Sequence, residues 1–152
     1  MTAPLYNARI LRLAASIPHH RLLDAPQARV RRVSPVCGSR VTADVVLDDG
    51  RVALFGQEVR ACALGQAAAA ILGAGITGRS AGELRCAHSA LSAWLRSDEP
   101  LPDLLAETFP DLEVFAPARA HPARHASILL AFDAAASAAE TASAGAAEPG
   151  GP

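Results

Sequence analysis

The stretch from residue 41 to residue 55 limits most strongly what this chain can fold into. Val41, Ala43, Val45 and Leu47 alternate with Thr42, Asp44, Val46 and Asp48. That period of two places successive side chains on opposite faces of a strand. Asp49-Gly50 supplies the residue types of a tight turn, and Arg51 to Phe55 returns as the partner strand. Residues 29 to 36 before it are strand-like, though weakly patterned. Helical spacing covers most of what remains. Strands followed by helices indicate an α+β domain and not the alternation of a parallel α/β sheet. The expected architecture is a small three-stranded antiparallel sheet with helices packed on one face.

The helices are read as follows. Ile10, Leu13, Ala14 and Ile17 have helical spacing and stop at Pro18, and residues 18 to 28 form a polar connection. The partner strand is expected to end at Phe55 and Gly56, with an alanine-rich helix over residues 60 to 72 stopped by Gly73 and Gly75. Ser80 with Glu83 is a capping box opening a helix to about Arg96. A short helix near residues 102 to 107 precedes Leu112 to Phe115 and a proline-containing loop. The last helix starts at Pro122 and buries Ile128, Leu129, Phe132 and Ala136. Residues 140 to 152 lack periodicity and read as a disordered tail, leaving residues 1 to 139 as one domain.

Composition excludes several functions. All 14 basic residues are arginine, so Schiff-base chemistry and the phosphate-binding P-loop lysine are ruled out. A net charge of −1 leaves no overall electrostatic footprint for nucleic acid. Arg29, Arg31 and Arg32 read as the solvated face of a strand. No secretory apolar region opens the chain, and the most apolar stretch, residues 61 to 76, is too short and alanine-rich to span a bilayer. A reducing, cytoplasmic setting without membrane contact is the expectation. Free thiols there more often bind metal or react than pair.

Three cysteines carry the chemical interest. Cys62 falls at the entry of the alanine-rich helix, where unsatisfied N–H groups and the helix dipole favour a thiolate. Cys37 stands in SPVCGSRV, just before the first hairpin strand. A hairpin brings its two ends together, which places both thiols at one end of the sheet. His125, in the first turn of the last helix, joins them if that helix begins at the same end. Two thiolates and an imidazole suit zinc or iron. Cys86 lies on the helix opened by Ser80 with nothing converging on it. His121 is the cap of the last helix or lies outside it, and His19-His20 sits solvated in a loop. Gly73, Gly75 and Gly78 spell GxGxxG but follow a helix, the reverse of a dinucleotide-binding context.

Three motifs in this order carry a resemblance. SPVCGSRVTADVVLDDGRV, FGQEVRACALGQAAAA and HPARHASILLAFDAA resemble the cysteine motifs of the U-type iron–sulfur cluster assembly scaffolds, the NifU amino-terminal domain, IscU and SufU. The resemblance spans residues 5 to 138, and Pro122-Ala123-Arg124 favours the SufU side. It implies a cytoplasmic, non-enzymatic protein that receives sulfur from a cysteine desulfurase and holds iron, zinc or a cluster. Cys37 and Cys62 match the first two ligand cysteines, and His125 matches a histidine that some members carry beside the third. Ser39 replaces the family's aspartate and Ala126 its third cysteine, both expected at a pocket rim. The leading expectation is a scaffold-like protein using Cys37, Cys62 and His125. The rivals are an adaptor or regulator of a desulfurase that holds no cluster and, last, a thiol enzyme with Cys62 as nucleophile and His125 as base.

Overall fold

The hairpin forms as its alternation requires. The protein, described here as a computed structural model over residues 5–35 and 38–147, has three strands: β1 (Ala28–Val33), β2 (Arg40–Asp48) and β3 (Arg51–Arg60). They pair antiparallel in the order β1-β2-β3. Asp49 and Gly50 both take positive φ, 53° and 76°. Two successive left-handed residues give the turn whose twist matches the strands it joins. Val41, Ala43 and Val45 are buried on the face that meets the helices. Thr42 and its neighbours Arg31 and Glu58 share the opposite face.

β3 runs five residues beyond the expected end at Phe55. Gly56 lies inside the strand because the 18–24 connection crosses the sheet there. A Cβ at position 56 would overlap the Arg21 carbonyl and lie 3.2 Å from Leu23 Cγ. The glycine therefore marks a close backbone approach and not a strand end. The same connection closes the β3 edge. The Gln57 N–H donates to the His19 carbonyl (2.9 Å) and the Val59 N–H to His20 Nε2 (3.3 Å). The exposed His19-His20 pair thus has a structural task, satisfying an edge that would otherwise be open to pairing. Beneath the connection, Asp44 is 0% exposed. Its carboxylate accepts from the Leu23 N–H (2.9 Å) and from Arg29 Nε (2.7 Å) and Nη2 (2.8 Å).

Among the described residues five α-helices lie on the other side, with α2 and α5 directly against the sheet: α1 (Ala8–Ala14), α2 (Ala63–Gly75), α3 (Ala81–Leu95), α4 (Asp103–Thr108) and α5 (His125–Ala147). α2 begins and ends three residues later than expected. Gly73 does not stop it: the Pro18 carbonyl passes 3.1 Å from where its Cβ would stand. Alanine suits this helix, since Ala67 to Ala70 are all buried and bulkier side chains would hold the neighbouring elements apart. α3 carries the reciprocal capping box, with the Glu83 N–H on Ser80 Oγ (3.1 Å) and the Ser80 N–H on Glu83 Oε1 (2.9 Å).

The proline-containing loop is a run of 3-10 turns, Pro110–Ala120, that buries Leu112, Val114, Phe115 and Ala118. A second short one, Pro122–Arg124, delays the start of α5 to His125. α5 then continues through Ala147, helical where the sequence suggests a disordered tail from residue 140. Ala142 is buried there, and Glu140 Oε1 accepts from Arg85 Nη2 (2.8 Å). The rest of that expectation, residues 148 to 152, lies outside the described residues.

Candidate functional site

Cys62 is the N-cap of α2, with extended φ −68° and ψ 172° and no hydrogen bond from its side chain to the helix. It is half-buried and free. The first-turn N–H groups of a helix have no partner within the helix, so the uncapped end faces the thiol with donors and a positive dipole. The sheet sets where this end lies. Arg60, the last ladder residue of β3, pairs with Arg40, the first of β2. Ala61-Cys62 therefore leaves the sheet at the end where Ser39 enters it. The connection between β1 and β2 is closed there by the Ser34 N–H on the Ser39 carbonyl and the Gly38 N–H on the Ser34 carbonyl, both 2.8 Å.

α5 begins at the same place. A Cβ on Gly65 would lie 3.3 Å from the Ser127 carbonyl and 3.9 Å from Ser127 Cβ, so the first turns of α2 and α5 run side by side. The first turn of α5 thus lies against the first turn of α2, and the uncapped α2 end favours negative charge at Cys62. His125 and Ala126, the first residues of α5, are half-buried at this end. His125 Nε2 stands 3.0 Å from the Ala118 carbonyl. A carbonyl only accepts, so Nε2 is the donor, and the tautomer that carries its proton there has its lone pair on Nδ1. A backbone carbonyl fixing one ring nitrogen is how ligating histidines are commonly oriented. His121 is separated from α5 by the Pro122–Arg124 turn, so the two histidines do not share a helical face.

A rim position is at odds with the burial of Ser39, whereas Ala126 is half-buried. Ser39 is only 4% exposed. Ser34, also buried, has its hydroxyl without a hydrogen-bond partner among the described residues. Cys37 lies outside the described residues, so its expected place beside Cys62 has no structural account. Among the described residues no group of three or more His, Cys, Asp or Glu side chains could hold a metal ion. Cys62 and His125 are the described members of the expected donor set. Cys86 is exposed on α3.

The sequence alone does not reveal the arginines around this end. Arg29 pairs with Asp44, and Arg32 points to the helix side, 3.3 Å from Asp133. All three are exposed, as expected, but Arg32 lies on the other face of the strand from Arg29 and Arg31, and Arg31 stands beside Arg40 and Arg60. The signal is the strand register, which an end of β3 at Phe55 does not disclose.

The three-stranded antiparallel sheet with helices packed against it is the fold of NifU-like and SufU-like scaffolds. The chain belongs to the NifU-like amino-terminal family: it is 38% identical to the NifU-like protein (N-terminal) from Brucella abortus, with a TM-score of 0.85, over 92% of this chain and 95% of that one. A protein from Fervidobacterium islandicum described as an iron–sulfur cluster assembly scaffold for the SUF system has the same fold. Its TM-score is 0.74 at 17% identity, covering 86% of this chain and 93% of that one. A hypothetical protein at 20% identity matches with a TM-score of 0.78, covering 90% and 97%. No protein-family model and no curated protein matches the chain. No described helix is long and apolar enough to cross a membrane.

Proposed function

We propose that this protein is a non-enzymatic, scaffold-like carrier in iron–sulfur cluster assembly. It takes sulfur from a cysteine desulfurase and holds sulfur, iron or zinc through Cys37 and Cys62, with His125 assisting, in a reducing cytoplasm. The observation that supports this is Cys62 at the uncapped N-terminus of α2, whose first turn lies against that of α5, in a chain 38% identical to a NifU-like protein. In the transfer step the Cys62 thiolate attacks the terminal sulfur of a persulfide on the donor. The donor's S–S bond breaks, its cysteine leaves as a thiolate, and Cys62 becomes the persulfide without net oxidation. The α2 N-terminus stabilises the anion on Cys62.

Metal, as cargo, would use the same thiols and His125 Nδ1. Serine and alanine at positions 39 and 126 leave the donor set short of a carboxylate and a thiolate, and fewer anionic ligands bind a metal ion less tightly. That shortage favours a second reading, an adaptor of the desulfurase that holds no cluster.

Anaerobic incubation with a cysteine desulfurase and cysteine, followed by intact mass and elemental analysis, separates the two. A carrier gains sulfur on Cys62 or retains iron or zinc, and loses both on Cys62→Ser. Zinc retention also falls as pH drops through the histidine range, because protons compete for the ligands. Unmodified, metal-free protein that still binds the desulfurase establishes the adaptor.

A further inference from the structure

Arg31, Arg40 and Arg60 meet on the solvent face of the sheet, around Thr42 and Glu58. The register requires it: Arg31 pairs with Thr42, Thr42 with Glu58, and Arg40 with Arg60. None of the three arginines has an ion pair among the described residues, whereas Arg29, Arg32, Arg51 and Arg85 each contact a carboxylate. Three guanidinium groups therefore face one carboxylate in an open groove. Arg40 opposite Arg60 is a like-charged cross-strand pair, which costs stability. A local rule broken without an internal gain marks a surface shaped by something outside the fold. Beside the groove, opposite Arg40, Val33 is 51% exposed and adds an apolar contact.

The position of the groove gives it meaning. Arg40 follows Ser39 and Arg60 lies two residues before Cys62, so the positive face adjoins the thiol. Guanidinium groups form paired hydrogen bonds with carboxylates. No aromatic side chain lines the groove to stack a base, and the chain's net charge of −1 opposes a polyanion. We infer that the Arg31–Arg40–Arg60 face docks an acidic, Asp/Glu-rich surface segment of the protein that delivers sulfur to Cys62. The inference rests on the carrier reading for the partner's task, while the docking itself is separable from it.

The test measures binding of a purified SUF-type cysteine desulfurase to the full chain by fluorescence anisotropy, at low and high salt. Arg31→Glu/Arg40→Glu should weaken binding by about tenfold or more and flatten its salt dependence, as for charges facing across an interface. The milder Arg31→Gln/Arg40→Gln/Arg60→Gln variant should show a smaller loss in the same direction, which guards against a misfolded reversal. Arg9→Glu/Arg12→Glu, an equal charge change on α1, should leave affinity within about twofold. Equal loss in that control, indifference to the arginine changes, no binding by the unaltered chain, or preference for single-stranded DNA or inorganic phosphate would each overturn the docking inference. Sulfur on Cys62 is read separately by mass. Arginine-dependent binding without sulfur transfer upholds the docking face and removes the carrier reading, and transfer indifferent to the arginines does the reverse.

Discussion

At position 39 a serine is buried and at position 126 an alanine stands, the two positions proposed to match a carboxylate and a thiolate of the family's ligand set. A carboxylate at 39 without a metal is a charge taken out of water, so Ser39→Asp should cost the metal-free protein about 2 kcal/mol or more. With Ala126→Cys beside it, the same carboxylate becomes a ligand. The double variant is expected to melt lower than the natural chain without zinc and to recover with zinc, since a ligand that binds only the folded state stabilises it. Thermal melts with and without zinc check this, and failure of zinc to raise the variant's midpoint would show that the pocket has diverged beyond its ligands. Asp44 is the opposite case, a buried carboxylate already satisfied by three donors. Asp44→Ala strands the Leu23 N–H under the crossing connection and should destabilise by about 2 kcal/mol in urea unfolding. A loss under a few tenths would mean that water replaces the carboxylate freely.

Among the elements, the contact between α2 and α5 decides whether Cys62 has company. Gly65→Ala puts a methyl 2.7 Å from Ala61 Cβ and 3.3 Å from the Ser127 carbonyl, so Ala61 must shift and the first turn of α5 must give slightly. A cost of about 1–3 kcal/mol follows from overpacking, together with reduced zinc or sulfur loading of Cys62. Gly82→Ala, in the first turn of α3, meets only Ser80 Oγ at 3.9 Å and should be neutral or stabilising by up to about 1 kcal/mol. Urea unfolding of both variants is the check, and similar losses would mean that the helix contact is not the cause. The same elements show what the sequence can and cannot disclose. The Asp49-Gly50 turn and the Ser80–Glu83 box are local chemistry and are legible directly. Gly56 is ambiguous, because a strand end and a close approach both demand glycine, and the approaching Arg21 carbonyl is remote in sequence. The last turns of α5 carry no periodicity since Ala138, Ala139 and Ala142 are buried by tertiary packing alone. At the site, Cys62 as a cap was readable, whereas the burial of Ser39 and the meeting of Arg31, Arg40 and Arg60 depend on strand register.

Across the whole molecule, α5 is the shared wall, with the sheet on one side and α3 on the other, and a polar seam pins the three layers. Arg85 of α3 donates to Asp133 Oδ1 (3.1 Å), Ser137 Oγ (3.1 Å) and Glu140 Oε1 (2.8 Å) of α5. Arg32 of β1 reaches the same Ser137 (3.0 Å) and Asp133. The hydrogen bond from Arg85 holds the Glu140 carboxyl below its ordinary 4.5. Burial holds the neighbouring His88 imidazole below its ordinary 6.5, against the attraction of Asp133 and Glu140. Both shifts act in one direction with pH. Below 6.5 the unfolded chain protonates His88 before the folded one does, so stability declines as pH falls towards the depressed folded value. Below 4.5 the unfolded chain likewise takes up the Glu140 proton first, and the contribution of that carboxylate is lost as pH falls through its folded value. Glu83, lowered mainly by the Ser80 backbone N–H and then by Arg51, adds to this second stage. Urea midpoints measured from about pH 7 down to about pH 3 should therefore fall in two stages. His88→Gln should flatten the upper stage and leave the lower, while Glu140→Gln should shrink the lower by no more than about 1 kcal/mol, its side chain being partly solvated. A single acid transition unchanged by His88→Gln would show that the imidazole is not held neutral by the packing of α3 on α5, and the seam would then be a surface feature with no part in holding the layers together.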